Sequence, residues 1–188
     1  GMAQGIKRRR DSIPLLVSEQ PQLVEAALNH RSDEVKRAAL EILKADKPML
    51  SELLQAGLEK ARAKIQNTGF SAGERSVAVN FFSLSKDLSD HVDFLKTLID
   101  PKEEPEVQKA ALRILDKHPG PEIARYVLSK WENLTPDVRD VALDLYLVDK
   151  ERVPLLLDAI EEGKVQASGL GYFRGVRLMS RSDDALRD

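Results

Sequence analysis

A ten-residue pattern recurs along this chain and restricts its fold more than any other feature. Residues 34–43 read EVKRAALEIL, residues 106–115 read EVQKAALRIL, and residues 137–146 read DVRDVALDLY. Residues 74–82, ERSVAVNFF, fit the same frame more loosely. The marker alanines Ala39, Ala78, Ala111 and Ala142 are spaced by 39, 33 and 31 residues. Repeats of that length, each holding two helices, imply a stacked array, because one helical pair cannot bury its own apolar face. A second echo, IPLL at 13–16 and VPLL at 153–156, falls at a helix start each time.

Apolar spacing within the repeats is helical. Val107, Ala110, Ala111, Ile114 and Leu115 form one stripe, with Lys109, Arg113, Asp116 and Lys117 facing elsewhere. Ile123, Val127, Leu128, Trp131 and Leu134 continue the pattern after Pro119-Gly120-Pro121, which stops one helix and starts the next. The same spacing predicts helices near 13–28 (two pieces broken around Pro21), 33–45, 48–66, 72–84, 88–99, 105–118, 121–133, 136–147 and 152–162. Ser32, Asp87 and Thr135 suit N-caps, and Pro48, Pro105, Pro121 and Pro136 suit first turns. No run alternates with period 2 for long enough to predict a strand.

The expected architecture is all-α: an α-α superhelix, or solenoid, of about four to five helical pairs. Residues 1–10 form a basic segment expected to be disordered, residues 11–162 the repeat array, and residues 163–188 a glycine-containing loop or broken helix. That last stretch leads into a further repeat or an improvised cap. SRSDDALRD at 180–188 parallels HRSDEVKRA at 30–38, so the chain is expected to be a piece of a longer protein. Tyr172, Phe173, Val176 and Leu178 are then expected to fold back over Val153, Leu156, Leu157 and Ile160, or to form a dimer contact. The expected core is Val35, Ala39, Ile42, Leu43, Val107, Ala111, Ile114, Leu115, Val138, Ala142 and Leu145.

Composition narrows the function classes. The chain has 42% hydrophobic and 32% charged residues, which fits a packed domain rather than a disordered one. Its net charge of −2 offers no global field for nucleic acid or an anionic membrane. Residues 1–70 carry 12 Lys and Arg against 9 Asp and Glu, and residues 71–188 carry 17 against 22. The run Lys7 to Arg10 supplies much of the positive side, and such terminal runs are usually solvated. Asp11, not an apolar stretch, follows it, so the sequence shows no signal-peptide pattern. There is no cysteine, which excludes disulfides, thiol catalysis, thiolate metal sites and a covalently attached haem. No apolar stretch has the roughly 20 residues that span a bilayer.

The pattern at Asp33/Glu34-Val35-Lys36-Arg37-Ala38, Glu106-Val107-Gln108-Lys109-Ala110 and Asp137-Val138-Arg139-Asp140-Val141 resembles the signature Asp-x-x-Val-Arg-x-x-Ala. That signature marks the short bacterial HEAT-like repeats often called phycobilisome-lyase-like. The resemblance covers most of residues 20–160 and implies the fold. Glu74 stands where the motif has an apolar residue, so residues 74–82 are expected to pack irregularly. RVPLLLDAIEEGKV at 152–165, with LMSRSDDALRD at 178–188, resembles the HEAT region of multidomain haem-binding membrane-bound dehydrogenases of PVC-type bacteria. In those proteins the repeats lead into a cytochrome domain with a Cys-x-x-Cys-His motif. This chain has no such motif, so the resemblance implies a connecting scaffold and no haem ligand here. A periplasmic location follows from that resemblance, a cytoplasmic one otherwise.

No catalytic, cofactor-binding or metal-binding residue is assigned, and the sequence singles out no partner-binding residue. His30, His91 and His118 lie in different repeats without a second histidine at i+3 or i+4, which a metal site would want. Helix dipoles favour histidine near C-termini anyway. Gly169, Gly171 and Gly175 miss the dinucleotide-binding spacing, and no strand precedes them. Glu103/Glu104 and Glu161/Glu162 sit at turns and helix ends, where solvated charge is ordinary. Trp131 continues a core stripe. The expected function is a non-enzymatic scaffold that contacts a protein partner or neighbouring domains, without cofactor or membrane insertion. The alternative is a nucleic-acid-binding protein like the HEAT-like DNA glycosylases. The net negative charge disfavours it, as does the absence of a recurring basic face.

Overall fold

A computed structural model describes residues 19–45 and 51–181, and every regular element among them is helical. No helix among the described residues is long and apolar enough to cross a membrane. The chain divides into two units, residues 1–87 and 88–188. The basic segment 1–10, the expected helix before Pro21, the expected start at Pro48 and the further repeat expected to begin over 182–188 lie outside the described residues.

In the first unit the helices are α1 (Gln20–Asn29), α2 (Asp33–Ala45), α3 (Ser51–Gln66) and α4 (Ala72–Phe81), the last running into a 3-10 turn at Phe82–Leu84. Pro21 opens α1 in its first turn rather than breaking it. α1 packs on α2 and α3 on α4, while α4 also touches α1 and α2. Gly57 permits a close approach in α3, because a Cβ there would stand 2.7 Å from the buried Phe81 ring.

The second unit comprises α5 (Val92–Thr97) behind a 3-10 turn at Ser89–His91, then α6 (Pro105–Leu115), α7 (Glu122–Lys130), α8 (Pro136–Val148), α9 (Val153–Glu161) and α10 (Gly171–Arg181). Prolines in the first turns of α6, α8 and α9 start those helices without costing a hydrogen bond. α8 is central: it packs against α6, α7, α9, α10 and the 3-10 turn at Ala167–Leu170. Trp131 opens a further 3-10 turn (Trp131–Asn133) and is buried in the core.

One stripe recurs in α2, in α4 with its following 3-10 turn, in α6 and in α8. Its alanine and the residue after it are buried each time: Ala39-Leu40, Ala78-Val79, Ala111-Leu112 and Ala142-Leu143. A large apolar residue four positions beyond the alanine is also buried: Leu43, Phe82, Leu115 and Tyr146. Three positions before the alanine stands a long polar side chain: Lys36, Arg75, Gln108 or Arg139. The first three are buried and Arg139 is half-buried. In α2 the expected valine stripe is thus rotated by one residue, while in α6 and α8 it is kept. Val107 and Val138 are buried, but Val35 is 38% exposed and Ile42 half-buried. The other nine expected core residues are buried.

These shared buried positions also remove the expected irregularity at 74–82. Arg75, Ala78, Val79 and Phe82 hold the shared stripe, and Glu74 lies outside it. Glu74 instead completes a capping box with Ser71: Ser71 Oγ accepts from Glu74 N at 3.3 Å, and Ser71 N donates to Glu74 Oε2 at 3.1 Å. Hydrogen bonding from Ser71 holds the Glu74 carboxyl below its ordinary pKa.

Candidate functional site

Three of the four long polar residues of the stripe share one task. Arg75 Nε donates to Ile65 O at 2.6 Å, Gln108 Nε2 to Asp100 O at 2.6 Å, and Arg139 Nε to Trp131 O at 2.9 Å. Each acceptor lies 8 or 10 residues earlier, at or beyond the end of the preceding helix, where carbonyls lack intrahelical donors. Lys36 departs, binding Asp33 Oδ1 within its own first turn at 2.8 Å. Lys64 on α3 instead caps α1, donating to Leu28 O at 2.7 Å. Burial pulls the Lys64 pKa down.

Arg152, the N-cap of α9, is the largest such node and is 1% exposed. It donates to Gly120 O at 2.9 Å, Leu145 O at 3.0 Å and Asp116 O at 3.3 Å, and also to His118 O. Asp116 Oδ1 stands 3.4 Å away. Gly120 makes this possible by adopting a φ of 86°, turning the chain between α6 and α7. Asp149 secures the same turn by accepting Gly120 N at 3.0 Å. Backbone donors from Glu151 and Gly120 hold its carboxyl below the ordinary range, whereas burial raises that of Asp116 despite Arg152. A shallow depression of about 450 Å3 adjoins this node, lined in part by Asp116, His118 and Val148. All five carbonyl and carboxylate acceptors already hold the guanidinium, so the node reads as a structural clamp.

The histidines do not converge. His30 is exposed at the end of α1, where its Nδ1 accepts Ser32 N at 3.0 Å. His91 is buried in its 3-10 turn, and His118 is half-buried beside Arg152. Among the described residues, no group of three His, Asp or Glu is placed to hold a metal ion. Glu104 is the N-cap of α6, and Glu161 and Glu162 are exposed at the end of α9. Gly175 lies inside α10, so Gly169, Gly171 and Gly175 do not form an open loop.

α10 is the element that the sequence concealed. Where a loop or broken helix was expected over 163–175, the turn ends at Gln166, a 3-10 segment follows, and α10 runs from Gly171 to Arg181. Tertiary contact outweighs the poor propensity of its glycines: Leu170 and Leu178 are buried, and Arg174 between them binds α8. Arg174 Nε donates to Asp144 Oδ1 at 2.7 Å, Nη1 to Asp140 Oδ1 at 2.6 Å, and Nη2 to Asp140 O at 2.9 Å. These bonds raise the arginine's pKa and hold the Asp140 carboxyl below its ordinary value.

The opposite side of α10 is apolar and open. Tyr172 is 79% exposed, Phe173 86% and Met179 70%, with Val176 also exposed. Of the four residues expected to fold back over α9, Leu178 is buried, in a helix that packs chiefly on α8, whereas Tyr172, Phe173 and Val176 are exposed. Gly171, at a φ of 67°, and the Arg174 clamp orient the helix with its apolar side outward. The aromatic pair makes an edge-to-face contact, with centroids 5.7 Å apart. No protein-family model, curated protein or solved structure matches the chain.

Proposed function

We propose that this chain is a non-catalytic helical-repeat scaffold of the HEAT-like kind, its pairs stacked as an α-α superhelix. It mediates contacts with a protein partner or with neighbouring domains of the same polypeptide. The shared stripe carries this reading: Lys36/Arg75/Gln108/Arg139, then Ala39/Ala78/Ala111/Ala142, then Leu43/Phe82/Leu115/Tyr146, in four helices. A stripe repeated in that order suits helices that each face a similar neighbour, which is how stacked repeats bury their faces. Of the polar side chains that recur, Arg75, Gln108 and Arg139 are used on backbone carbonyls and Lys36 on Asp33, which suits repeats that supply architecture rather than reactive groups. The resemblance to the HEAT region of haem-binding dehydrogenases supports neighbouring domains as one kind of partner.

Gentle cross-linking of the native protein at its natural abundance, followed by purification, tests this. A stoichiometric complex, rebuilt from purified components, is expected. Recovery as a lone chain that turns over a substrate would contradict the proposal. A titration with duplex DNA at low salt separates the nucleic-acid alternative, since a steeply salt-dependent affinity would support it instead.

A further inference from the structure

We propose that α10 is a detachable strap, and that the Asp140 and Asp144 face it covers on α8 accepts an arginine-bearing helix of a protein partner in its place. The inference rests on the scaffold reading and names the chemistry of the partner. The carboxylate pair is not part of the repeat. The positions two before and two after the stripe alanine are Arg37 and Glu41 in α2, Ser76 and Asn80 in α4, and Lys109 and Arg113 in α6. Of the four stripe helices, only α8 has Asp at both. Stripe packing therefore does not require the pair, and what the pair holds is a guanidinium. Arg174 Nε reaches Asp144 Oδ1, Nη1 reaches Asp140 Oδ1, and Nη2 reaches Asp140 O. That fork selects arginine, since a lysine ammonium is a point charge without the same spread of donors.

The strap is held lightly. Gly171 and Gly175, three residues before Arg174 and one after it, favour the open chain over the helix. A helix of 11 residues is marginal by itself. α10 packs chiefly on α8 and on the 3-10 turn before it, and Leu178 is the one buried apolar residue among its described side chains. The carboxylates that hold Arg174 are 61% and 57% exposed, so water competes for them. Few buried apolar contacts and exposed polar ones mark a segment that opens below the global unfolding free energy. Once α10 opens, α8 is still held by α6, α7 and α9, and both carboxylates can receive a second arginine. A leucine four residues after that arginine would take the place of Leu178. The closed strap lowers the partner's apparent affinity by the fraction of chains that are shut.

Amide exchange of the full chain is the first test: α10 should exchange through local opening while α8 stays protected. Fluorescence anisotropy with a labelled synthetic helix carrying Leu four residues after its Arg is the second. Arg174→Gln opens the strap and should tighten binding of this probe at least about tenfold over the parent. Adding Asp140→Asn and Asp144→Asn to Arg174→Gln should remove the gain, and a probe with Gln in place of its Arg should not bind the open chain. Three results would overturn the inference: exchange of α10 only on global unfolding, equal affinity of the parent and Arg174→Gln, or full binding by the triple variant. A native partner complex that forms equally well with the triple variant would also overturn it, and would leave the scaffold reading standing.

Discussion

Replacing Arg152 by Met tests how far the second unit depends on one buried donor. Met keeps most of the aliphatic stem but removes every donor, leaving Asp116 O, His118 O, Gly120 O and Leu145 O without their partner. A buried carbonyl left unsatisfied costs about 1–3 kcal/mol. The adjoining depression admits water to the acceptors nearest Asp116 and His118, so the full sum does not apply. Removing one partner from a buried charged network typically costs about 3–5 kcal/mol, and that is the expected loss. Urea unfolding followed by fluorescence of Trp131, which lies in the same unit, measures it directly. Arg152→Lys, which keeps the charge but cannot reach all four carbonyls, should fall between. Asp116 adds a pH signature. Burial raises its pKa and Arg152 opposes the rise, so losing Arg152 should push it higher. Its ionised form is then more costly in the folded state, and the destabilisation by Arg152→Met should shrink as the pH falls and Asp116 protonates. A loss under about 1 kcal/mol at neutral pH would show that water replaces the guanidinium and would refute the reasoning.

Ala111→Leu should cost about 1–3 kcal/mol by overpacking, since Ala111 is fully buried where α6 meets its neighbours; thermal unfolding would show it. Ser71→Ala should cost about 0.5–2 kcal/mol by opening the capping box of α4, with amide exchange rising in its first turn. Acidification should loosen α10. Arg174 holds the Asp140 carboxyl low, so this contact contributes above the ordinary value of 3.8 and is lost as the pH falls through the lowered folded value. Amide exchange in α10 should therefore rise ahead of that in α8 below pH 3.8, and simultaneous exchange of both would contradict it.

Much of the helical pattern was legible because apolar spacing and proline placement mark helices directly. Ser32 caps α2 as expected, accepting Val35 N at 3.4 Å, and α2 runs over the expected 33–45. In α2 the stripe was placed one residue off because hydrophobicity ranks Val35 above Lys36. Lys36 buries its stem while its ammonium reaches Asp33, which no apolar count registers. The capping role of Glu74 was legible in Ser-x-x-Glu at 71–74 and was masked by the repeat alignment, which treated Glu74 as a departure. α10 was hidden for a different reason. Its four nearby glycines lower helix propensity, and what fixes it is a contact 30 residues away with Asp144. The Arg152 node was equally out of reach, since its acceptors are backbone carbonyls that any sequence provides.

The repeat itself is tested most directly at Gln108, whose Oε1 is buried without a hydrogen-bond partner and whose counterparts in the stripe are Arg75 and Arg139. If those positions are equivalent, arginine at 108 should donate to Asp100 O as its counterparts donate to Ile65 O and Trp131 O. Urea unfolding of Gln108→Arg, followed by Trp131 fluorescence, should then give a stability within about 1 kcal/mol of the parent, while Gln108→Leu loses about 1–3 kcal/mol. A Gln108→Arg variant destabilised as much as Gln108→Leu would contradict the equivalence and, with it, the repeat.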